Sequence, residues 1–304
     1  QHARRIRPDI LIRLRDANRE SALKLYGYGT ANVMTGLGDL LLSRTGELLA
    51  AIFIGPAAVT YYAIAGTLLE YVQKLAVTMA QTLHPFSSSR QARGDLQALR
   101  QATVVSTKMC YLIALPATAG LTIFGYEFVR AWMGESYADV ASPLLIAMAV
   151  GRLFWISQSG VSQILLGGGH HRQAMVLSVA TGVTSFLGGL IMIRSHGLLG
   201  MTIGSSVPVA IMHGVVTPWY AVRALRVPVR TYLLDAVVRP AAATAPFVGV
   251  LLLLERAISP ETIIEIAAIA ALSAPVLLFS AFLVALNGDE RDYLIKRVIP
   301  RARA

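Results

Sequence analysis

The sequence predicts an all-α integral membrane protein with about eight transmembrane helices, and three observations carry that expectation. Of the 304 residues, 55% are hydrophobic and only 14% are charged, where a soluble domain carries about 25% charged residues. Mean hydropathy is +0.59. Apolar stretches of about 20 residues alternate with short basic segments, the pattern of repeated membrane crossings.

Eight stretches have the length and apolar character of spans: 30–54, 58–84, 103–125, 141–167, 172–193, 197–220, 239–256 and 262–286. Gly55-Pro56, Gly134, Gly167-Gly168-Gly169 and Ser259-Pro260 separate several of them, as residues that end helices and form turns do. The seventh is short and opens at Pro240. Pro116, Pro208 and Pro275 fall inside spans and are expected to kink them, freeing carbonyls that a neighbour or water must satisfy. Gly200 and Gly204 form a small-xxx-small pair suited to close helix contact. An even number of spans puts both ends of the chain on one side.

Arginine and lysine say which side. Of the 27 basic residues, 21 fall in the first segment, in alternate connections and in the tail; 3 fall in the other connections and 3 inside spans. The positive-inside rule then makes both ends cytoplasmic. Residues 87–101 read as a polar linker turning into a basic amphipathic turn, lying along headgroups or simply solvated. Lys108 counts with that basic connection. The net charge of +10 does not point to nucleic acid, because the basic residues lie between spans and form no recognition motif. The single Cys110 excludes an internal disulfide and reads as a small core residue. The chain opens with Gln1 followed by a basic, polar stretch too poor in apolar residues for a signal peptide, so an upstream part is expected.

Strong charges near the middle of spans are the candidates for function. They are Asp39, Arg44 and Glu47 in the first span, Glu70 and Lys74 in the second, and Arg152 in the fourth. A charge at bilayer depth costs a few kcal/mol or more, so it faces a polar cavity, a partner or a substrate. Arg44 and Glu47 are three apart and Glu70 and Lys74 four apart, so each pair shares a helix face and also reads as a local salt bridge. Arg152 has no acid in its own span. Asn32, Gln73, Gln81, Gln158, Ser159, Ser162 and Gln163 add uncharged polarity; Gln158 and Ser162 are taken as cavity residues, with interhelical hydrogen bonding as the other reading. His170-His171 follow three glycines with no Cys or carboxylate nearby and read as a solvated turn. No nucleotide-binding loop and no nucleophile with a base is present, so no enzyme is expected.

Ordered features from about residue 8 to 290 carry a resemblance. LKLYGYGTANVMTGLGDLLLSRTGELLAAIFIG leads into the first span, and GPAAVTYYAIAGTLLEYVQKL opens the second on a Gly and a Tyr-x-x-Ala start. The second span ends in Leu83-His84-Pro85-Phe86. FGYEFVRAWMGESYADVASPLLIAMAV carries a Phe-Gly and a Gly-x-x-Tyr, and Gly167 to Arg172 makes a Gly-rich turn. In this order the features resemble the C-terminal portion of Wzx-type polysaccharide (O-antigen, capsule, exopolysaccharide) flippases of the MATE/MOP superfamily.

The resemblance implies a layout: a basic cytoplasmic segment 1–29, a six-span C-terminal lobe 30–222, a basic connection 223–238, two extra spans 239–286 and a basic tail 287–304. It implies residence in the bacterial cytoplasmic membrane and a role in flipping polyprenyl-diphosphate-linked oligosaccharide for surface polysaccharide biosynthesis. The implied partners are the bilayer, the lipid-linked oligosaccharide, an N-terminal lobe in the same or another chain, and a polysaccharide polymerase. Alternating access needs two lobes, so this chain alone is not expected to transport. Arg152 and Arg44, with Lys74 assisting, are then candidates to bind the diphosphate, since Arg meets phosphate oxygens as a planar fork and Lys as a point charge. Asp39, Glu47 and Glu70 are candidates for coupling to Na⁺ or H⁺; no other cofactor and no metal is implied. The two extra spans either form a groove for the lipid tail or simply face lipid. A MATE-type cation exporter and a non-transporting membrane subunit of a glycan-assembly complex are the competing readings.

Overall fold

A computed structural model describes residues 18–288 and 290–292; most of the basic segment 1–29 and of the tail 287–304 lies outside or at the edge of that range. The described residues are helical throughout, without a strand. In chain order the helices are α1 (Arg19–Phe53), α2 (Pro56–Gln81), α3 (Leu83–Ala92), α4 (Leu96–Ile123), α5 (Gly125–Met133) and α6 (Glu135–Ser157). They continue with α7 (Ser159–Gly167), α8 (His171–Ile211), α9 (Thr217–Ala224), α10 (Val229–Thr231), α11 (Arg239–Ala257) and α12 (Ile263–Ser280). Short π-helical stretches join α8 to α9 (Met212–Val216) and α10 to α11 (Tyr232–Val238), and extend α12 (Ala281–Ala285).

Five of the resulting continuous helices are long and apolar enough to cross a membrane: Leu96–Ile123, Glu135–Gly167, His171–Ala224, Val229–Ala257 and Ile263–Ala285. The difference from eight has two physical causes. Helices α1 and α2 have 35 and 26 residues, about 52 and 39 Å at 1.5 Å per residue, long enough to cross. Asp39, Arg44 and Glu47 on α1, and Glu70, Gln73 and Lys74 on α2, make them too polar to count as simple lipid-facing spans. The expected fifth and sixth spans form one run, broken at Gly197, whose φ of 59° and ψ of −145° no helix adopts. There the chain folds back on itself: Ser185 Oγ donates to the Ser205 carbonyl at 2.9 Å, and Gly188 and Gly204 meet backbone to backbone. Gly204 therefore serves close packing, between two halves of one hairpin.

The seventh helix begins at Val229, not at 239, because the π-helical turn carries the chain through Pro240. That shortens the basic connection to the few residues around Arg226, whose φ is 52°. Residues 87–101 become the end of α3, a turn at Gly94 (φ 69°) and the start of α4. Asp95 caps α4 by accepting from the Ala98 amide at 3.0 Å and holds Arg90 at 3.1 Å.

Helices α1, α2, α4, α6 and α8 pack as one bundle, with α1 against α8, and α6 against α2, α4 and α8. Helices α11 and α12 pair with each other and join the bundle through α4. Two backbone approaches fix this arrangement. A Cβ on Gly182 would stand 2.7 Å from the Gly38 carbonyl, and one on Gly151 would stand 2.8 Å from the Ser206 carbonyl. Gly182→Ala is thus expected to destabilise the bundle by about 1–3 kcal/mol through overpacking, although Ala favours an exposed helix by about 0.5–1 kcal/mol. Gly249→Ala, with no atom within 4 Å of its added methyl, should shift the other way. Thermal unfolding of both variants in detergent checks the sign.

Candidate functional site

The intramembrane charges converge. A cavity of about 350 Å³ between α1, α2 and α6 is lined by Arg44, Glu47, Glu70, Lys74 and Arg152, with Tyr62, Gln73 and Trp155. Helix spacing explains the two local pairs. Arg44 Nη1 lies 3.1 Å from Glu47 and Lys74 Nζ 3.1 Å from Glu70, one turn apart on their helices. These pairs are open: the side chains of Arg44 and Lys74 are 67% and 64% exposed. In water such pairs are worth about 0–1 kcal/mol, and both cations keep donors free to turn into the cavity.

Arg152 differs. Its Nη1 donates to Gln73 Oε1 on α2 at 2.6 Å, and its guanidinium lies 4.6 Å from the centre of the Trp155 ring. Among the described residues no carboxylate forms an ion pair with it. Three cations and two carboxylates leave the cavity one positive charge in excess, and that excess belongs to Arg152. Gln73 and Trp155 hold its planar fork without neutralising it, one as a neutral acceptor and the other through its ring face. Gln73 was legible only as polarity. Trp155 was missed, although it sits three residues after Arg152 and so shares its helix face.

A second cavity, also about 350 Å³, adjoins the first along Ser43, Gln73, Val77 and Trp155. Ser162 and Asp39 line it, and Asp39 accepts from Ser178 Oγ on α8 at 2.7 Å. The three carboxylate candidates are divided, Glu47 and Glu70 in one cavity and Asp39 in the next. Gln158 lines neither cavity. It lies at the break between α6 and α7, fully buried, its Oε1 accepting from the Tyr232 hydroxyl at 3.0 Å. Of its two expected roles, cavity group or interhelical hydrogen bond, the contact is of the second kind and ties the α6–α7 break to the π-helical turn before α11. A third, water-sized cavity of about 30 Å³ lies behind Arg152, lined by Thr45, Tyr62, Ser185 and Ser205.

An apolar groove of about 360 Å³ runs between α4–α5 and the α11–α12 pair, lined by Phe124, Phe128, Phe247, Leu251, Ile266 and Ile269. His170, expected in a solvated turn, is half-buried: its Nδ1 is 2.9 Å from the Tyr220 hydroxyl. Burial holds its pKa below the ordinary imidazole value, so the ring is neutral near pH 7.

Lys108 was misplaced by the sequence reading. It is a fully buried residue of α4, and its Nζ meets both carboxylate oxygens of Glu290, at 2.8 and 2.6 Å. The two residues are 182 positions apart, so no sequence spacing signals the pair.

Together the helical bundle, its hairpin at Gly197 and its charged interior cavity define a multi-pass membrane protein with a transporter-like fold. The family model described as "Polysaccharide biosynthesis protein" matches residues 9–142. The chain is 24% identical over 232 residues to "Uncharacterized membrane protein EpsK" of Bacillus subtilis (strain 168), covering 71% of this chain and 43% of that protein. Its fold is similar to that of "Lipid II flippase MurJ, inward closed conformation", with a TM-score of 0.64 and 12% identity over 84% of this chain and 52% of that one. That last likeness is one of fold. The chain is thus similar over residues 9–142 to a polysaccharide biosynthesis family and similar in fold to a lipid II flippase. The chain spans about half the length of the relatives it matches.

Proposed function

We propose that this chain forms one lobe of a flippase that carries polyprenyl-diphosphate-linked oligosaccharide across the bacterial cytoplasmic membrane, with Arg152, Arg44 and Lys74 binding the diphosphate. The observation that carries the reading is the gathering of these three cations, from three helices, around one cavity. A diphosphate is the part of such a lipid least able to enter hydrocarbon unpaired, and Arg152 offers it an unneutralised guanidinium already held in place. The apolar groove beside α11 and α12 suits the hydrocarbon tail. Lateral exposure of Arg44, Glu70 and Lys74 at span depth favours a second lobe, in the same or another polypeptide, that covers the cavity and rocks against this one. Asp39, with a hydroxyl as its hydrogen-bond partner and no cation beside it among the described residues, is the carboxylate best placed to couple to Na⁺ or H⁺. The excess of positive charge in the cavity weighs against a cation exporter. With the basic connections inside, both ends of the chain lie in the cytoplasm.

The test uses the full chain in lipid nanodiscs and farnesyl diphosphate as probe, with farnesol as the uncharged control. Binding should need the diphosphate and weaken at least 100-fold when Arg44, Lys74 and Arg152 are all alanine, about 1.4 kcal/mol being lost per tenfold step. Unaltered binding by that triple variant overturns the proposal.

A further inference from the structure

The second cavity has a chemistry of its own. Asp39 is its sole charged lining residue among those described; the rest of its polarity is hydroxyl, amide and imidazole, including Ser159, Ser162, Gln163, His213 and Thr217. Two of these groups are buried with nothing to bond to: Ser159 Oγ and His213 Nδ1, on side chains each 8% exposed, have no hydrogen-bond partner. A buried polar atom left unmatched costs about 1–3 kcal/mol; both atoms are closed off from the cavity as their side chains stand, and a ligand rich in hydroxyls gains them when the Ser159 hydroxyl and the His213 ring turn toward it. One wall is aromatic. The His213 ring stacks on Trp155 with centroids 6.1 Å apart and planes at 27°. Trp155 itself lines both the charged cavity and this one.

We propose that the second cavity is a subsite for an uncharged hexose, in which sugar hydroxyls bond His213, Ser159 and Gln163 while sugar C–H groups lie against the Trp155–His213 wall. The proposal rests on the diphosphate reading of the first cavity. The two cavities meet along Ser43, Gln73, Val77 and Trp155, so a diphosphate beside Arg152 delivers the sugar directly attached to it into the second. Asp39 disfavours an acidic sugar there. Its volume of about 350 Å³ lies at the small end of ligand pockets, roughly 300–1,000 Å³, which suits one or two sugar rings and leaves a longer glycan to extend outward.

The experiment compares bare farnesyl diphosphate with its glucosyl, galactosyl, N-acetylglucosaminyl and N-acetylgalactosaminyl esters on the full chain in nanodiscs. At least one ester should bind about tenfold more tightly than the bare lipid, the yield of one or two hydrogen bonds. His213→Leu, and separately Gln163→Leu, should cut that ratio about fivefold or more, roughly one hydrogen bond's worth. Binding of bare farnesyl diphosphate by the same variants reports whether they are folded, and the ratio is read on variants that retain it. If bare lipid binds but no ester gains over it, or if the ratio survives both substitutions, the sugar subsite is wrong and the diphosphate reading stands. If neither bare lipid nor any ester binds the unaltered chain, both fall.

Discussion

Arg152→Ala is expected to weaken binding of a lipid diphosphate about 10- to 100-fold, more than either Arg44→Ala or Lys74→Ala. The difference follows from where each cation stands. Arg44 and Lys74 each carry a carboxylate one helical turn away and are largely exposed, so each already shares its charge with that acid and with its open surroundings before a ligand arrives. Arg152 has a neutral acceptor at 2.6 Å and an indole face at 4.6 Å, so its charge remains available to a ligand. A hydrogen bond to a charged group is worth about 1.5–3 kcal/mol, which is the stated range of affinity. Arg152→Lys should fall between, keeping the charge but losing the fork that reaches Gln73 and a phosphate together. Isothermal titration with farnesyl diphosphate, beside a thermal melt of each variant, separates the readings. If Arg152→Ala lowers stability and leaves affinity unchanged, the residue locks α2 to α6 and does not meet substrate.

What the sequence could say about this site depended on the range of each interaction. The Arg44–Glu47 and Glu70–Lys74 pairs are legible because helix geometry alone brings residues three and four apart together. That Arg152 had no acid in its own span was legible too, but its actual partner, Gln73, lies 79 positions away. The chemistry of the cavity could be read, while its walls could not. Trp155 on α6 and His213 in the π-helical stretch after α8 are brought together by the fold-back at Gly197 and the packing of that chain on α6. Gln158 was open between a cavity role and an interhelical hydrogen bond, and the contact with Tyr232 is the second. A glutamine in an apolar stretch signals an unmet hydrogen-bond need, and that need is met in part by Tyr232 in the packed interior and not by a cavity. Of the expected spans, the charged first two were recovered as helices, yet their polarity keeps them from the five long apolar ones. The same charges that make α1 and α2 weak spans make them walls of the cavity.

Glu290→Leu is expected to destabilise the protein by about 3–5 kcal/mol, the cost of stranding one member of a buried ion pair. Lys108 is fully buried in α4, and Glu290 supplies both of its anionic contacts while also accepting from the Asn287 amide at 2.8 Å. The pair ties the chain beyond α12 to α4. The two single variants should be unequal. Lys108→Met leaves Glu290, whose side chain is 23% exposed, able to reach solvent and stay charged cheaply. Glu290→Leu leaves an ammonium with no exposed surface at all, stranded in the packed interior without its anionic partner. The double variant Lys108→Met with Glu290→Leu should recover most of the loss, because a well-packed apolar pair often matches or exceeds a buried ionic one. A double-mutant cycle on unfolding in detergent reads all four proteins. Equal, small effects from both single variants and no recovery in the double would mean that the pair does not hold the C-terminal helices to the lobe, and that apolar packing of α11 on α4 does so alone.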